Sequence, residues 1–212
     1  MDYTTINWKR SALVIIDMQH DFVSLQGAAT IEGTEAILPE LIRLVDCFRS
    51  YGLPVIHVIR LYQADGSNAD NCRRGRIESG FKIACTNTEG AYIIPSLLPE
   101  GSQQPDHKKL LSGQVVSSGK SDYMLYKPRW GAFYKTALHE LLGQLNVDSI
   151  LIAGCNFPNC PRTSIYEASE RDFRIGIVKG TISGMYDRGL NELTNIGVNI
   201  YTREEIEALL FS

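Results

Sequence analysis

The stretch LIAGCNFPNCPRTSIYEASERD, residues 151–172, joins an apolar run to a run with helical spacing through a joint that carries two cysteines. A buried strand that hands the chain to a helix through a short joint is the repeating unit of a parallel sheet covered by helices. Pro161 marks the handover, because proline is favoured at the first helical position, where its missing N–H costs nothing.

The same alternation runs outward in both directions. Strands are expected at 11–17 (SALVIID), 53–60 (LPVIHVIR), 122–127 (DYMLYK), 149–154 (SILIAG), 174–179 (RIGIVK) and 198–201 (VNIY). Most are almost uniformly apolar, as strands are when both faces of a sheet are covered. Between the first two, TEAILPELIRLVDCFRSYG places Ile37, Leu38, Leu41, Ile42, Val45 and Phe48 on one helical face and closes at Gly52. Further helices are expected at 132–144, 161–172 and 202–211, the last opened by Thr202 and Glu205 at capping-box spacing. These elements imply a three-layer α/β/α fold, Rossmann-like, with a six-stranded, mostly parallel sheet. We expect residues 1–212 to form a single domain, in which 61–121 is a long insertion or rim with one short helix, since so long a connection exceeds an ordinary loop.

Composition narrows the function classes. The chain has 212 residues, 44% of them hydrophobic, and a formal net charge of −3, so it has no basic surplus for nucleic acid. No run approaches the roughly 20 apolar residues of a membrane span, and no signal core precedes the first strand. Five cysteines, Cys47, Cys72, Cys85, Cys155 and Cys160, fall at irregular spacings, which argues for a reducing compartment. A cytoplasmic protein with neither a nucleic-acid nor a membrane partner is expected.

In an open α/β sheet, ligands gather beyond the carboxyl ends of the strands. The residues there are Asp17, Arg60, Lys127 and the 154–160 joint. Asp17 closes a buried strand as VIIDMQHDF and can exchange a proton there, or cap the loop that follows. Lys127 stands in YKPRWGAFYK; alone it reads more readily as a solvated lysine at a strand exit, and what raises it is its company, Trp130 and Phe133, which could wall a small pocket. Cys160 opens the 161–172 helix, and the helix dipole with a nearby Lys127 ammonium should pull its thiol below the free value of about 8.5. Cys155 lacks the dipole and reads as a small buried hydrophobe. A zinc clip fails for want of a second pair of ligands: the C-x4-C spacing stands alone, and His20, His57, His107 and His139 are scattered. His57, inside VIHVIR, reads as a satisfied core histidine.

Taken together, DMQHDF, YKPRWGAF and the joint GCNFPNC resemble the isochorismatase-like cysteine hydrolases, over about residues 10–202. That family includes nicotinamidase and amidases of carbamoyl, ureido and maleamate compounds, and biuret or triuret hydrolases. The resemblance implies a catalytic triad of Asp17, Lys127 and Cys160. It also implies an oxyanion hole made of the Asn156 and Cys160 N–H groups, and a cis peptide between Cys155 and Asn156. It further implies a cysteine-dependent hydrolase that cleaves a C–N bond through a thioester, releasing ammonia or an amine, in a homo-oligomer of two or four chains. Nicotinamidases carry an Asp and several His after the second strand; VIRLYQADGSNADNCRRG offers Asp65 and Asp70 but no histidine, so no metal and no cofactor is expected. Phe157 and Pro158 replace the family's usual Thr-rich segment, which bears on the pocket wall.

Phe22, Arg60, Trp130, Phe133, Phe157 and Arg162 are the substrate-binding candidates, with Asn156 beside them. Aromatic walls with an Arg fork suit a small amide or ureide carrying a carboxylate or several carbonyl oxygens; Arg60 and Arg162 read equally as surface ion pairs. Two alternatives stand: vinyl-ether hydrolysis of the isochorismatase type, disfavoured by retention of Cys160, and a redox-sensing thiol with Cys155 as its resolving partner.

Overall fold

The computed structural model describes residues 2–211 and contains one seven-stranded sheet. In chain order the strands are β1 (Ser11–Ile16), β2 (Val55–Ile59), β3 (Val116–Ser118), β4 (Asp122–Tyr126), β5 (Ser149–Gly154), β6 (Arg174–Ile182) and β7 (Asn199–Tyr201). The helices are α1 (His20–Val23), α2 (Leu38–Ser50), α3 (Asn71–Glu78), α4 (His107–Leu111), α5 (Leu138–Gln144), α6 (Cys160–Ser169), α7 (Asp187–Thr194) and α8 (Arg203–Phe211). Sheet order is β3-β4-β2-β1-β5-β6-β7, with only the β3–β4 pair antiparallel.

The uniform apolarity of the strands has the cause expected of it. Along β1, Leu13 and Ile15 join one buried cluster while Ala12, Val14 and Ile16 join the other. Strand β5 divides in the same way, with Leu151 and Ala153 opposite Ile150 and Ile152. Side chains alternate across a strand, so a strand covered on both faces must be apolar at every position. One face is covered by α2, whose Leu41, Leu44, Val45 and Phe48 are buried. The other is covered by Leu138, Leu141 and Leu142 of α5 and by Ile165 and Ala168 of α6. At the start of α8 the Thr202 N–H donates to Glu205 and the Glu205 N–H donates back to the Thr202 hydroxyl, a reciprocal capping box.

Four expectations change. The sheet has a seventh strand, β3, a half-exposed edge strand of sequence VSS that carries too little apolar patterning to be read. Helix α7 was not expected; it is polar apart from Leu190 and Leu193. The helix expected over 132–144 begins only at Leu138, because Lys135 sits at φ 52 and Gly131 lies against the Glu167 carboxylate with no room for a side chain. The 61–121 segment holds α3, α4 and β3 rather than one helix, and its Tyr62, Ile77, Ile83, Ala91, Ile93 and Leu97 enter the same buried cluster as β1 and α2. Among the described residues no helix is long and apolar enough to cross a membrane.

A polar tie inside this framework joins α2 to β4. Asp122 is almost wholly buried and receives the Arg49 guanidinium, with Nη2 at 2.6 Å and Nε at 3.2 Å. His57 is buried as expected but is not satisfied: its Nε2 lies 3.8 Å from Asp122 Oδ1, beyond hydrogen-bond reach, and burial pushes its pKa below the usual value. Removing one member of a buried pair strands the other charge. Arg49→Ala should therefore lower stability by about 3 kcal/mol, read from urea unfolding; an unchanged midpoint would show that the pair contributes nothing.

Candidate active site

Strand order reverses at β1. The chain leaves β1 for β2 on one side and returns to β5 on the other, so the loops after β1 and β5 part and leave a crevice at their carboxyl ends. Gly154 sets how closely the two exits approach. It lies at φ 110, and a Cβ there would fall 2.1 Å from the Ile16 carbonyl, so only glycine lets β5 end against β1. The next residue, Cys155, donates its N–H to that carbonyl at 3.0 Å, and the Cys155–Asn156 peptide is cis, as the resemblance implied.

Asp17 follows β1 in the left-handed region, at φ 55, a conformation that a short polar side chain tolerates. Three bonds hold it there. Its N–H donates to the Val58 carbonyl at 3.0 Å, and its own carbonyl accepts from the Gln19 N–H at 2.8 Å and from the Cys155 thiol at 3.1 Å. Cys155 thus fixes the backbone of Asp17. Its thiol is fully buried and is pushed well up from the usual value, first by that burial and then by the Asp17 charge.

Asp17, Lys127 and Cys160, from the ends of three strands, meet. Lys127, which follows β4, is fully buried, and its ammonium reaches Asp17 Oδ2 at 2.8 Å, Cys160 Sγ at 3.2 Å and the Arg129 carbonyl at 3.2 Å. An ammonium has three protons, and each has an acceptor here. The second carboxylate oxygen, Asp17 Oδ1, is buried with no hydrogen-bond partner.

Cys160 is the first residue of α6, as Pro161 indicated, but its thiol is not acidic. Burial pushes it up and the Asp17 charge pushes it further. Lys127 and Arg60 pull the other way without reversing the shift, which leaves the thiol at about 11. The expected drop below the free value is therefore overturned, because desolvation and a neighbouring carboxylate outweigh a helix end and an ammonium already shared with that carboxylate. Neither the N–H of Cys160 itself nor that of Asn156, earlier in the same joint, has a protein acceptor among the described residues.

The pocket candidates divide. Arg60 follows β2 and is buried, with its backbone gripped by Gln19: the Arg60 N–H donates to Oε1 at 2.9 Å, and Nε2 donates to the Arg60 carbonyl at 2.8 Å. Its guanidinium lies 5.4 Å from the Trp130 ring centre. Phe22 is buried, and Arg73 of α3 stands over it at 5.8 Å. Phe133, Phe157 and Arg162 are elsewhere. Phe133 packs on Phe173, just before β6 and so toward the amino ends of the strands, because Glu167 of α6 takes its N–H. Phe157 is fully buried edge-on against Tyr186, under α7. Arg162 is taken by the Tyr186 hydroxyl at 2.6 Å and by Glu192, a tie between α6 and α7.

Sequence reasoning passed over Arg73, Tyr62 and Gln19. Arg73 sits 4.9 Å over Trp130 and donates to the Tyr62 hydroxyl at 3.0 Å. The signal was weak: a polar DNCRRGRIE run inside a long connection. A dication does not suit this corner, because Arg60 and Arg73 bring two positive charges and Asp70 is already engaged by Tyr62, Cys72 and Arg60. Asp65 turns to its own loop, accepting from the Ser67 N–H.

The sequence pattern of the isochorismatase domain matches residues 11–205. The chain is 27% identical over 205 residues to a probable inactive nicotinamidase of Arabidopsis thaliana, covering 93% of this chain and 95% of that one. It is 26% identical over 201 residues to maleamate amidohydrolase of Pseudomonas putida, covering 93% and 85%. Among solved structures, an isochorismatase family protein from Desulfovibrio vulgaris superposes with a TM-score of 0.80 at 28% identity, covering 96% of this chain and 99% of that one. Sheet order, the cis joint and the buried meeting of Asp17, Lys127 and Cys160 accord with that match, and the chain belongs to the isochorismatase family.

Proposed function

We propose that the protein hydrolyses a C–N bond of a small amide or ureide, with Cys160 as nucleophile, Asp17 as proton carrier and Lys127 as the cation that holds both. The observation that carries this reading is the division of labour on Asp17. One oxygen is fixed by Lys127 at 2.8 Å, and the other is buried, unpartnered and on the side chain whose charge acts on the Cys160 thiol.

A thiol at about 11 is protonated at neutral pH, so attack needs a base within the site. Asp17 takes the thiol proton as sulfur bonds to the carbonyl carbon. The charge that moves onto the carbonyl oxygen goes to the Asn156 and Cys160 N–H groups, each such donor lowering a barrier by about 3 kcal/mol. Asp17 then gives the proton to the departing nitrogen as the C–N bond breaks, which leaves a thioester and free ammonia or amine. Water attacks the thioester carbon and loses its proton to Asp17. As the C–S bond breaks, that proton returns to sulfur and the acid leaves. Throughout, Lys127 offsets whichever of the two groups is negative. The maleamate amidohydrolase relative supports this reaction class.

A redox sensor is disfavoured by the same numbers. Oxidants react with thiolates, and both Cys160 and Cys155 are held as thiols by burial and by Asp17. The Cys155 thiol is also engaged, donating to the Asp17 carbonyl at 3.1 Å.

Cys160→Ala should lower ammonia release from the protein's substrate by at least ~10⁴-fold with unfolding unchanged, whereas Cys155→Ala should be mild. Full turnover in Cys160→Ala would sink the assignment, and release of pyruvate from isochorismate would favour the vinyl-ether alternative. The thiol itself gives a second check. Iodoacetamide labelling of Cys160 should climb with pH toward an inflection near 11. Asp17→Asn removes the charge that raises the thiol, so the inflection should move down even as turnover falls by ~10²–10⁴-fold. An inflection near neutrality in the unmodified protein would mean a thiolate formed in advance.

A further inference from the structure

The mechanism leaves Arg60 without a task, and its surroundings do not satisfy it. The side chain is 1% exposed. Its Nη1 donates to Asp70 Oδ2 at 3.2 Å and to the Pro128 carbonyl at 2.8 Å, while its buried Nε and Nη2 have no hydrogen-bond partner. Nε–H and one Nη2–H form one edge of the guanidinium, two parallel donors that match a carboxylate. Buried donors left bare cost free energy and are rare in folded chains, so an orphaned guanidinium edge calls for an acceptor that the protein itself does not contain.

Charge points the same way. Around the crevice stand three cations, Arg60, Arg73 and Lys127, against two carboxylates, Asp17 and Asp70, while the Cys160 thiol is neutral at pH 7. One positive charge is in surplus where water is largely excluded. Both guanidinium groups lie against Trp130, at 5.4 and 4.9 Å from the ring centre, and Arg73 is tied through the Tyr62 hydroxyl to Asp70, the carboxylate that also holds Arg60. The pair is therefore one unit, buried at Arg60 and half-exposed at Arg73, with a flat aromatic wall beside it.

We propose that Arg60 and Arg73 form a clamp for a carboxylate carried by the substrate, so that the protein acts on amides or ureides of small acids rather than on neutral amides. This deepens the hydrolase reading and rests on it for the reacting bond. The carboxylate occupies the bare Nε and Nη2 edge of Arg60, Arg73 closes on it from α3, and the scissile carbonyl is left toward Cys160. A neutral substrate in the same place would leave both the donors and the surplus charge unanswered.

Two measurements test the clamp apart from the hydrolysis. In the first, oxamate, malonamate and succinamate are each compared with the corresponding diamide by kcat/KM for ammonia release. The acid should be favoured by roughly 30-fold or more in at least one pair, as the loss of a buried charged hydrogen-bonded partner implies. Arg73→Gln, at a half-exposed position that should not disturb folding, should shrink that preference chiefly by raising KM for the acid. Equal kcat/KM for acid and diamide in every pair that turns over would overturn the clamp and leave the hydrolase reading standing. In the second, the dicarboxylates oxalate, malonate and succinate are titrated calorimetrically into the Cys160→Ala protein, which needs no turnover. Binding that is lost in Arg60→Gln and weakened in Arg73→Gln supports the clamp even if no amide is cleaved. Absence of binding by all three, with the protein folded, overturns it.

Discussion

A lysine ammonium with no solvent exposure cannot stay in a protein interior without a carboxylate, and here Asp17 supplies it at 2.8 Å. That ion pair joins the ends of β1 and β4, which are separated in the sheet by β2. Much else follows from keeping it. Asp17 lies in the left-handed region at the end of β1, and the Val58, Gln19 and Cys155 bonds hold its backbone there. Because Lys127 divides its three protons among Asp17, Cys160 and a carbonyl, the second oxygen of Asp17 stays free. The residues that hold the ion pair are therefore the same ones that contact the Cys160 sulfur.

The balance of charges at Cys160 shows why local rules mislead in a buried site. A helix N-terminus and a lysine beside a thiol are features that favour thiolate, and both are present. They are outweighed because the sulfur is buried and because the lysine already belongs to Asp17. The outcome is a Cys160 thiol raised to about 11, which favours the protonated form at neutral pH.

The 61–121 segment is the part of the chain least like a simple crossover. Its apolar residues are woven into the core on one face of the sheet, and its polar ones, Tyr62, Asp70 and Arg73, reach the rim of the crevice beside Arg60 and Trp130. Gln19 ties the two systems together: its Oε1 and Nε2 both hold the Arg60 backbone, and Nε2 also donates to the Ala91 carbonyl. The rim is in this way registered against β1, the strand that delivers Asp17.

The amino-acid sequence by itself determined the layered α/β fold and pointed to the three side chains that meet at the carboxyl ends of the strands. Strands covered on both faces must be apolar throughout, and the residues that end such strands are placed by the topology alone. Elements whose stability is not written in their own periodicity stayed hidden: β3 survives only as a partner of β4, and α7 as a lid over Phe157. The tertiary structure alone decided the electrostatics and the pocket. Whether Cys160 is acid or neutral depends on how deeply it is buried and with whom Lys127 is shared, and neither quantity is local in sequence. Likewise Arg162 and Phe133 are spent on α7 and on Phe173, while Arg60 and Arg73, apart along the chain, meet over Trp130, because folding assigns partners by proximity in space.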